Sequence, residues 1–426
     1  MEASVASTMQ SIDFDAASAR STLIELPDKP AVFALYGAEA HSEPYIGRTP
    51  NLRGRLERLL RPSPRHPRRL QLAGRVRRIA WQLTGSDFEA LLAQFSMLEE
   101  IYGAKALERM HLHAPTFIRY LGSNAYPRIV VSNRPSQREA AWAYGPFASR
   151  AAAERFADEA LKLFLLRRCT DDLHPDPRFP GCVYSEMKMC LAPCYQGCSD
   201  ERYADEAAAV ENFLATRGEG KLVQLRTQRE EASSNLEFET AAAIHAQVQK
   251  IESVRALAPE LVRPMNQLRA VILQPSARPD EVVVFLYEHG RLRGPAAFST
   301  LGMRIQNERS GSSSLFAHPM AIEPIPEAPE PDPSATQAYA EPAKAARGVL
   351  EGRMEAALSA LSAVEGSPSA VHRQGHLALL KRWYYRPEGK RTGEIFFPER
   401  DGDWPIKALL RGAGRVFAAG FKSRTS

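Results

Sequence analysis

All five cysteines of this 426-residue chain lie between Cys169 and Cys198. Four of them, Cys169, Cys182, Cys190 and Cys194, offer a thiolate set that suits an iron–sulfur cluster or tetrahedral zinc, and the spacing serves either. The first twenty-two residues carry Glu2, Asp13 and Asp15 and no apolar core, so they do not form an export signal. An odd, clustered cysteine set in such a chain reads as a cytosolic metal or redox site, not a disulfide framework. A second concentration of chemistry is basic. From Arg48 to Arg78 there are eleven arginines against one acid, Glu57, although the formal net charge of the whole chain is only +5. Such a run suits a polyanion such as DNA, with Arg48, Arg53, Arg55 and Arg58 and the loop around Pro62, Pro64 and Pro67 as its contacts. No apolar run is long enough to span a membrane.

These residues need elements to hold them, and the pattern predicts a multi-domain α+β chain. Residues 1–22 read as a disordered tail and residues 23–103 as a small α/β unit. Within that unit Ala31–Tyr36 and Pro44–Gly47 read as strands, and Leu52–Leu60 and Phe88–Tyr102 as helices, the second capped by Ser86 or Asp87. Residues 104–165 read as a hairpin and helix connector, with strands at Phe117–Tyr120 and Arg128–Val131. The cysteine segment occupies 166–200, and helices fill 201–258. A small β region, 262–305, contains strands at Val271–Leu273 and Val282–Tyr287 and a turn at His289-Gly290. A Pro/Ala/Glu/Ser-rich linker follows over 306–342, compositionally unable to build a core. Residues 343–426 read as a mixed C-terminal region that opens on a helix.

Three stretches carry a resemblance. Ala31-Val32-Phe33, Tyr45-Ile46-Gly47-Arg48 and Asn51-Leu52-Arg53-Gly54-Arg55 resemble the GIY-YIG nuclease pattern. The resemblance implies that Tyr45 helps activate water, that Arg48 stands at the family's usual lysine, and that Arg55 contacts the phosphate. It also implies Mg²⁺ or Mn²⁺ on a carboxylate if the site is active. The text Cys190-Leu191-Ala192-Pro193-Cys194-Tyr195-Gln196-Gly197, preceded by Gly145-Pro146-Phe147, resembles the cysteine region of the UvrC family. There four cysteines hold an iron–sulfur cluster, and Cys198 lies outside that set. Leu222, Leu225 and Ala232 form one apolar stripe, and Ile244, Val248 and Ile251 another, around Asn235-Leu236-Glu237-Phe238-Glu239. This resembles the UVR motif and implies a UvrB-type partner, with Leu236 and Phe238 as apolar anchors and Glu237 and Glu239 as charge selectors. Where that family has Arg-Asp in the second helix, this chain has His245-Ala246.

The chain also departs from the family. No strand after Gly290 offers an inward-facing Asp, so the family's RNase H-type nuclease and its helix-hairpin-helix motifs are expected to be absent. Three nuclease positions are degenerate: Phe33 lacks the phenol, Leu59 replaces a tyrosine, and Gln94 stands at the metal-binding glutamate. A one-turn slip of register would instead offer Glu99 or Glu100 as ligand. Tyr36, three residues past Phe33, is expected on the opposite face of its strand. The implied function is a nucleotide excision repair protein that binds DNA and a UvrB-type partner and cuts weakly or not at all. Two alternatives are an active endonuclease making a single cut 3′ of lesions and a metal- or redox-responsive UVR adaptor.

Overall fold

A computed structural model describes residues 9–39, 42–60, 70–133, 143–301, 335–363 and 369–425. It confirms a multi-domain α+β chain, divided into two compact units. The first comprises residues 1–110, 269–367 and 388–426, and the second residues 111–268 and 368–387. The loop at 61–69, where the basic run reaches Pro62, Pro64 and Pro67, lies outside the described residues, as do 302–305 of the expected small β region and 306–334 of the expected linker.

The first unit begins with an antiparallel sheet of order β1-β4-β2-β3, made of β1 (Gln10–Asp13), β2 (Ala31–Gly37), β3 (Tyr45–Thr49) and β4 (Val76–Leu83). β2 is an apolar run because both its faces are covered. Ala31, Phe33 and Leu35 pack with Leu52, Leu56 and Leu60 of α2 (Leu52–Leu60). Val32 and Ala34 pack with Ala90 and Met97 of α4 (Asp87–Tyr102). Tyr36 and Ile46 lie with that second group, so Tyr36 does sit opposite Phe33. Asn51 caps α2 by accepting from the Gly54 N–H at 2.7 Å, and Ser86 caps α4 by accepting from the Glu89 N–H at 3.1 Å.

Two expectations fail in this region. Residues 9–22 are not a tail: β1 pairs with β4, and Phe14 and Leu23, the latter in α1 (Ala19–Glu25), are buried. β1 reads Gln-Ser-Ile-Asp, too polar to announce a strand, and is held by its ladder. β4 was hidden inside the basic run; Arg77 and Arg78 stay exposed while Val76, Ile79 and Trp81 enter the core. The short helices α3 (Leu70–Arg75) and α5 (Lys105–Arg109) complete this part.

A second antiparallel sheet has the order β11-β10-β9-β12, with β9 (Ala270–Pro275), β10 (Glu281–Glu288), β11 (Arg291–Ser299) and β12 (Glu394–Phe396). His289 and Gly290 make the expected tight turn, both at positive φ, as a two-residue hairpin requires. Val271, Leu273, Val282, Val284 and Leu286 pack against α11 (Ala335–Ser362) and α13 (Ile406–Thr425). The linker therefore ends by Ala335, and residues 335–342 belong to a helix. The opposite face sets Phe285 edge-on to Phe88 of α4, ring centroids 5.2 Å apart.

Glu288 ties this half together. Buried at the end of β10, it accepts from Arg269 Nε at 2.7 Å, Arg293 Nη1 at 3.2 Å and Ser362 Oγ at 3.4 Å. Arg269 also lies over the Trp404 ring and donates to the Gly402 carbonyl. Removing one member of such a set leaves uncompensated charge. Glu288→Ala should lower unfolding stability by about 3 kcal/mol in chemical denaturation, and an unchanged midpoint would contradict this role.

The second unit holds a sheet of order β6-β5-β7-β8: β5 (Thr116–Tyr120), β6 (Ile129–Ser132), β7 (Ala143–Phe147) and β8 (Arg263–Pro264). The expected connector is thus a sheet core, because β7 and β8 join the predicted β5–β6 hairpin. Onto it pack α6 (Arg150–Leu161), α8 (Asp200–Ala215), and the bases of α9 (Glu219–Ser234) and α10 (Phe238–Ala256). One core runs from Ile118, Tyr144 and Phe156 through Tyr203 and Phe213 to Leu225, Val248 and Ile251. The mixed C-terminal region contributes α12 (Ala370–Tyr384), whose Trp383 is fully buried, and Tyr385 donates to the Pro146 carbonyl at 2.9 Å.

Glu89 generates a pH prediction. Burial pushes its carboxyl up to about 7, against the N–H of Gly85 that it accepts at 2.7 Å. A raised carboxyl stabilises the fold below its ordinary value of 4.5, and that contribution is lost as pH rises through 7. Wild type should therefore lose up to about 3 kcal/mol relative to Glu89→Gln between mildly acidic and mildly alkaline pH. Parallel denaturation curves with a pH-independent gap would contradict it.

Candidate functional sites

On the first sheet the ladder places Phe33 opposite Gly47 and Leu35 opposite Tyr45. The Phe33 ring lies over Gly47, where a Cβ would come within 2.8 Å of it, which explains the glycine. Phe33 is fully buried and Tyr45 is 44% exposed, their ring centroids 6.1 Å apart. Tyr45 therefore shares a face with α2, the helix that carries Arg55. Arg55 is half-buried, and its side chain makes no hydrogen bond or ion pair among the described residues.

Arg48 is not brought to that face. It lies on the α4 side, alternate to Gly47, and is ion-paired with Asp87 at the start of α4. Gln94 is half-buried on α4, and Leu59 packs at the edge of the α2 core. Glu89, five residues before Gln94, caps the start of α4 by accepting from the Gly85 N–H. Arg53 donates through Nε to the Leu26 carbonyl at 2.7 Å, and Arg58 to the Gly54 carbonyl at 3.0 Å, so both are fixed with part of each guanidinium outward.

The cysteine segment has little regular structure beyond α7 (Val183–Glu186) and one 3₁₀ turn at Pro193–Tyr195. It is shaped by left-handed residues at Gly181, Lys188, Ala192 and Gln196. Cys169, Cys182, Cys190 and Cys194 line one small cavity with Arg167 and Arg168, and Cys198 is not among its walls. Among the described residues, no group of three Cys, His, Asp or Glu side chains is set to hold a single metal ion. The Ala192 N–H points at Cys190 Sγ at 3.3 Å, and Arg167 Nη1 at Cys169 Sγ at 3.5 Å. Burial and the neighbouring cysteines push the Cys190 thiol up to about 11, and burial raises Cys194 and Cys198. Arg168 Nε and Nη2 are buried without a hydrogen-bond partner. Sequence reasoning missed both arginines, since a basic pair just before a cysteine carries no spacing signal.

At the far end of the α9–α10 hairpin, Leu236 is 72% and Phe238 65% exposed. α9 ends in a Schellman arrangement, with the Glu237 N–H on the Ala232 carbonyl and the Leu236 N–H on that of Ser233. The left-handed position, usually glycine, is Leu236 at φ +62°. Glu237 and Glu239 flank it, both exposed, and His245 bonds Gln249 on α10 at 3.1 Å.

Comparison with known proteins bears on the second unit. Residues 116–213 match the family described as UvrC/Cho excinuclease, middle domain, and residues 219–254 the UvrB/uvrC motif. The UvrABC system protein C of Alcanivorax borkumensis is 30% identical over 233 residues, covering 55% of this chain and 38% of the relative. That of Desulforudis audaxviator is 29% identical over 292 residues, covering 68% and 46%, and that of Ruegeria sp. is 28% identical over 232 residues, covering 54% and 36%. The chain spans less than half the length of these curated relatives. No solved structure matches. Over these residues the sheet, cysteine segment and helical hairpin of the second unit thus match a UvrC middle domain followed by a UVR motif, and it is in these parts that the chain is similar to UvrC proteins.

Proposed function

We propose that the chain acts in nucleotide excision repair by binding DNA and a UvrB-type partner, and that it cuts DNA weakly or not at all. The hairpin tip carries this reading. A leucine in the left-handed region costs roughly 1 kcal/mol that glycine would avoid, and here its side chain gains no burial. Backbone strain spent on holding an apolar group in solvent fits a recognition surface. Leu236 and Phe238 would enter an apolar groove of a matching hairpin, while Glu237 and Glu239 select a basic rim. His245 and Ala246 are the positions that tune partner choice.

Weak cutting is supported by the first sheet. The Phe33 position is sealed and has no hydroxyl, a neutral amide stands at Gln94, and Arg48 is engaged with Asp87. Phosphate contacts from Arg53, Arg55 and Arg58 need no metal, so DNA binding should survive and fall steeply with salt.

The cysteine cavity fits an iron–sulfur cluster held by Cys169, Cys182, Cys190 and Cys194, with zinc as the alternative occupant. Buried, unpartnered Arg168 is suited to an anionic thiolate-bound group, and the Ala192 N–H to a bonded sulfur. A cluster also takes thiolates set wider than a single ion does. Such a group would supply a rigid cross-link for the loop. Because burial raises the Cys190 and Cys194 thiols, loading releases protons and is favoured by rising pH.

Two outcomes test the reading. Phe238→Ala should weaken binding to the C-terminal hairpin of a UvrB protein by about 2 kcal/mol in calorimetry, and absence of binding by wild type would overturn the partner assignment. Protein purified without oxygen should contain iron and sulfide, lost in Cys194→Ser and kept in Cys198→Ser. Stoichiometric zinc would replace the cluster by a zinc site, and folded protein without either would remove the metal site altogether.

A further inference from the structure

The second unit contains another cavity, partly open to solvent, at the root of the hairpin and apart from its tip. It measures about 290 Å³ and is walled by Tyr144, Phe156, Phe213, Arg217, Glu252 and Arg255 among others. That volume lies at the lower end of the range for small-molecule sites. Tyr144, Phe156 and Phe213 are each 3% exposed or less, so the aromatic part of the wall is fixed by the core.

The polar part of the wall is Arg217, Arg255 and Glu252, and Arg217 is incompletely used. Arg217 stands at the α8–α9 junction with φ +53°, followed by Gly218 at +77°. The turn is tight: a Cβ on Gly218 would meet the Phe213 ring at 2.8 Å and the Arg255 side chain at 3.2 Å. This places Arg217 Nε in the interior with no acceptor. Its Nη2 reaches the carbonyls of Ala258 and Pro259, at 3.5 and 3.4 Å, and its side chain also meets the Tyr144 hydroxyl. Among the described residues no carboxylate ion-pairs with Arg217. Of the nearby acids, Glu219 pairs with Arg255 of the wall at 2.9 Å, and Glu252, also of the wall, pairs with Arg226 at 2.8 Å. Arg263 adds a third positive charge near Tyr144. Burial, and then the Arg217 charge, hold Arg263 down to about 10, with Glu260 acting in the opposite direction.

We propose that this cavity binds a small phosphorylated molecule of mononucleotide size, its phosphate on Arg217 and Arg255 and its flat group against the aromatic wall. A guanidinium pair offers the forked donors that phosphate oxygens accept, and aromatic rings accept any base face. The site is independent of the nuclease face, the cysteine cavity and the hairpin tip. Two sources share this chemistry, a free mononucleotide and the terminal phosphate of a strand.

The test is calorimetry on the full chain with deoxythymidine monophosphate, thymidine and inorganic phosphate. The monophosphate should bind saturably and at least roughly tenfold tighter than either fragment. Arg217→Lys, which keeps the charge and loses the fork, should weaken it about tenfold. Arg255→Gln should do the same, so that the proposal does not hang on one variant's folding, checked by circular dichroism. A 5′-phosphorylated oligonucleotide that displaces the monophosphate assigns the site to strand ends, and one that does not assigns it to free nucleotides; both support the site. No saturable binding at about 10 mM, or binding unchanged in both folded variants, overturns it.

Discussion

Tyr203 of α8 is fully buried, yet its hydroxyl is engaged on two sides. It donates to the Pro127 carbonyl at 2.8 Å and accepts from the Arg167 N–H at 3.2 Å, while its ring meets that of Tyr126 edge-on at 5.4 Å. Burial holds the phenol far above its ordinary range, so it stays a neutral donor. Arg167 in turn donates to the carbonyls of Tyr126 and Asp171 and reaches Cys169 Sγ. The start of the cysteine loop, the link between β5 and β6, and α8 are thereby one assembly. α8 runs directly into Arg217 and the hairpin, so the cysteine cavity, the cationic pocket and the base of the UVR motif share a single apolar core. That core can satisfy a buried tyrosine and an arginine only because every hydrogen bond between them is made.

The first unit obeys a different constraint. β2 is covered on both faces, so the side chains from Ala31 to Leu35 are sealed. Phe33 can therefore contribute packing but no surface chemistry, while exposed Tyr45 on the edge strand β3 and Arg55 on α2 are what remains. α4 is fastened by Ser86, Glu89 and Phe88, and these contacts set the face on which Arg48 meets Asp87.

Much of this was legible in the chain. The strands and helices from Ala31 to Leu60 follow from unbroken or periodic apolar residues, and the hairpin from its two stripes. The cysteine segment and UVR motif were legible as text; the family comparison matches a middle domain over residues 116–213, which takes in the expected connector as well as that segment, and the UVR motif over 219–254. β4 escaped because Arg77-Arg78 interrupts its apolar alternation, and β1 because an edge strand needs few apolar residues. α12 and α13 escaped because Gly375, Gly412 and Gly414 weaken local helix propensity, which tertiary burial overrides. The roles of Arg168, Tyr203 and Arg217 could not be read at all. Each depends on groups far apart in sequence that only the fold assembles.

Recognition without efficient cutting is the account's central claim. Its most direct test is nicking of a lesion-containing duplex by the wild-type chain with Mg²⁺ or Mn²⁺, at protein concentrations where the same duplex is bound. The account predicts bound but uncut DNA, with any nicking gained only when Phe33→Tyr and Gln94→Glu are combined. Metal-dependent nicking by wild type, abolished by Arg55→Ala, would contradict it.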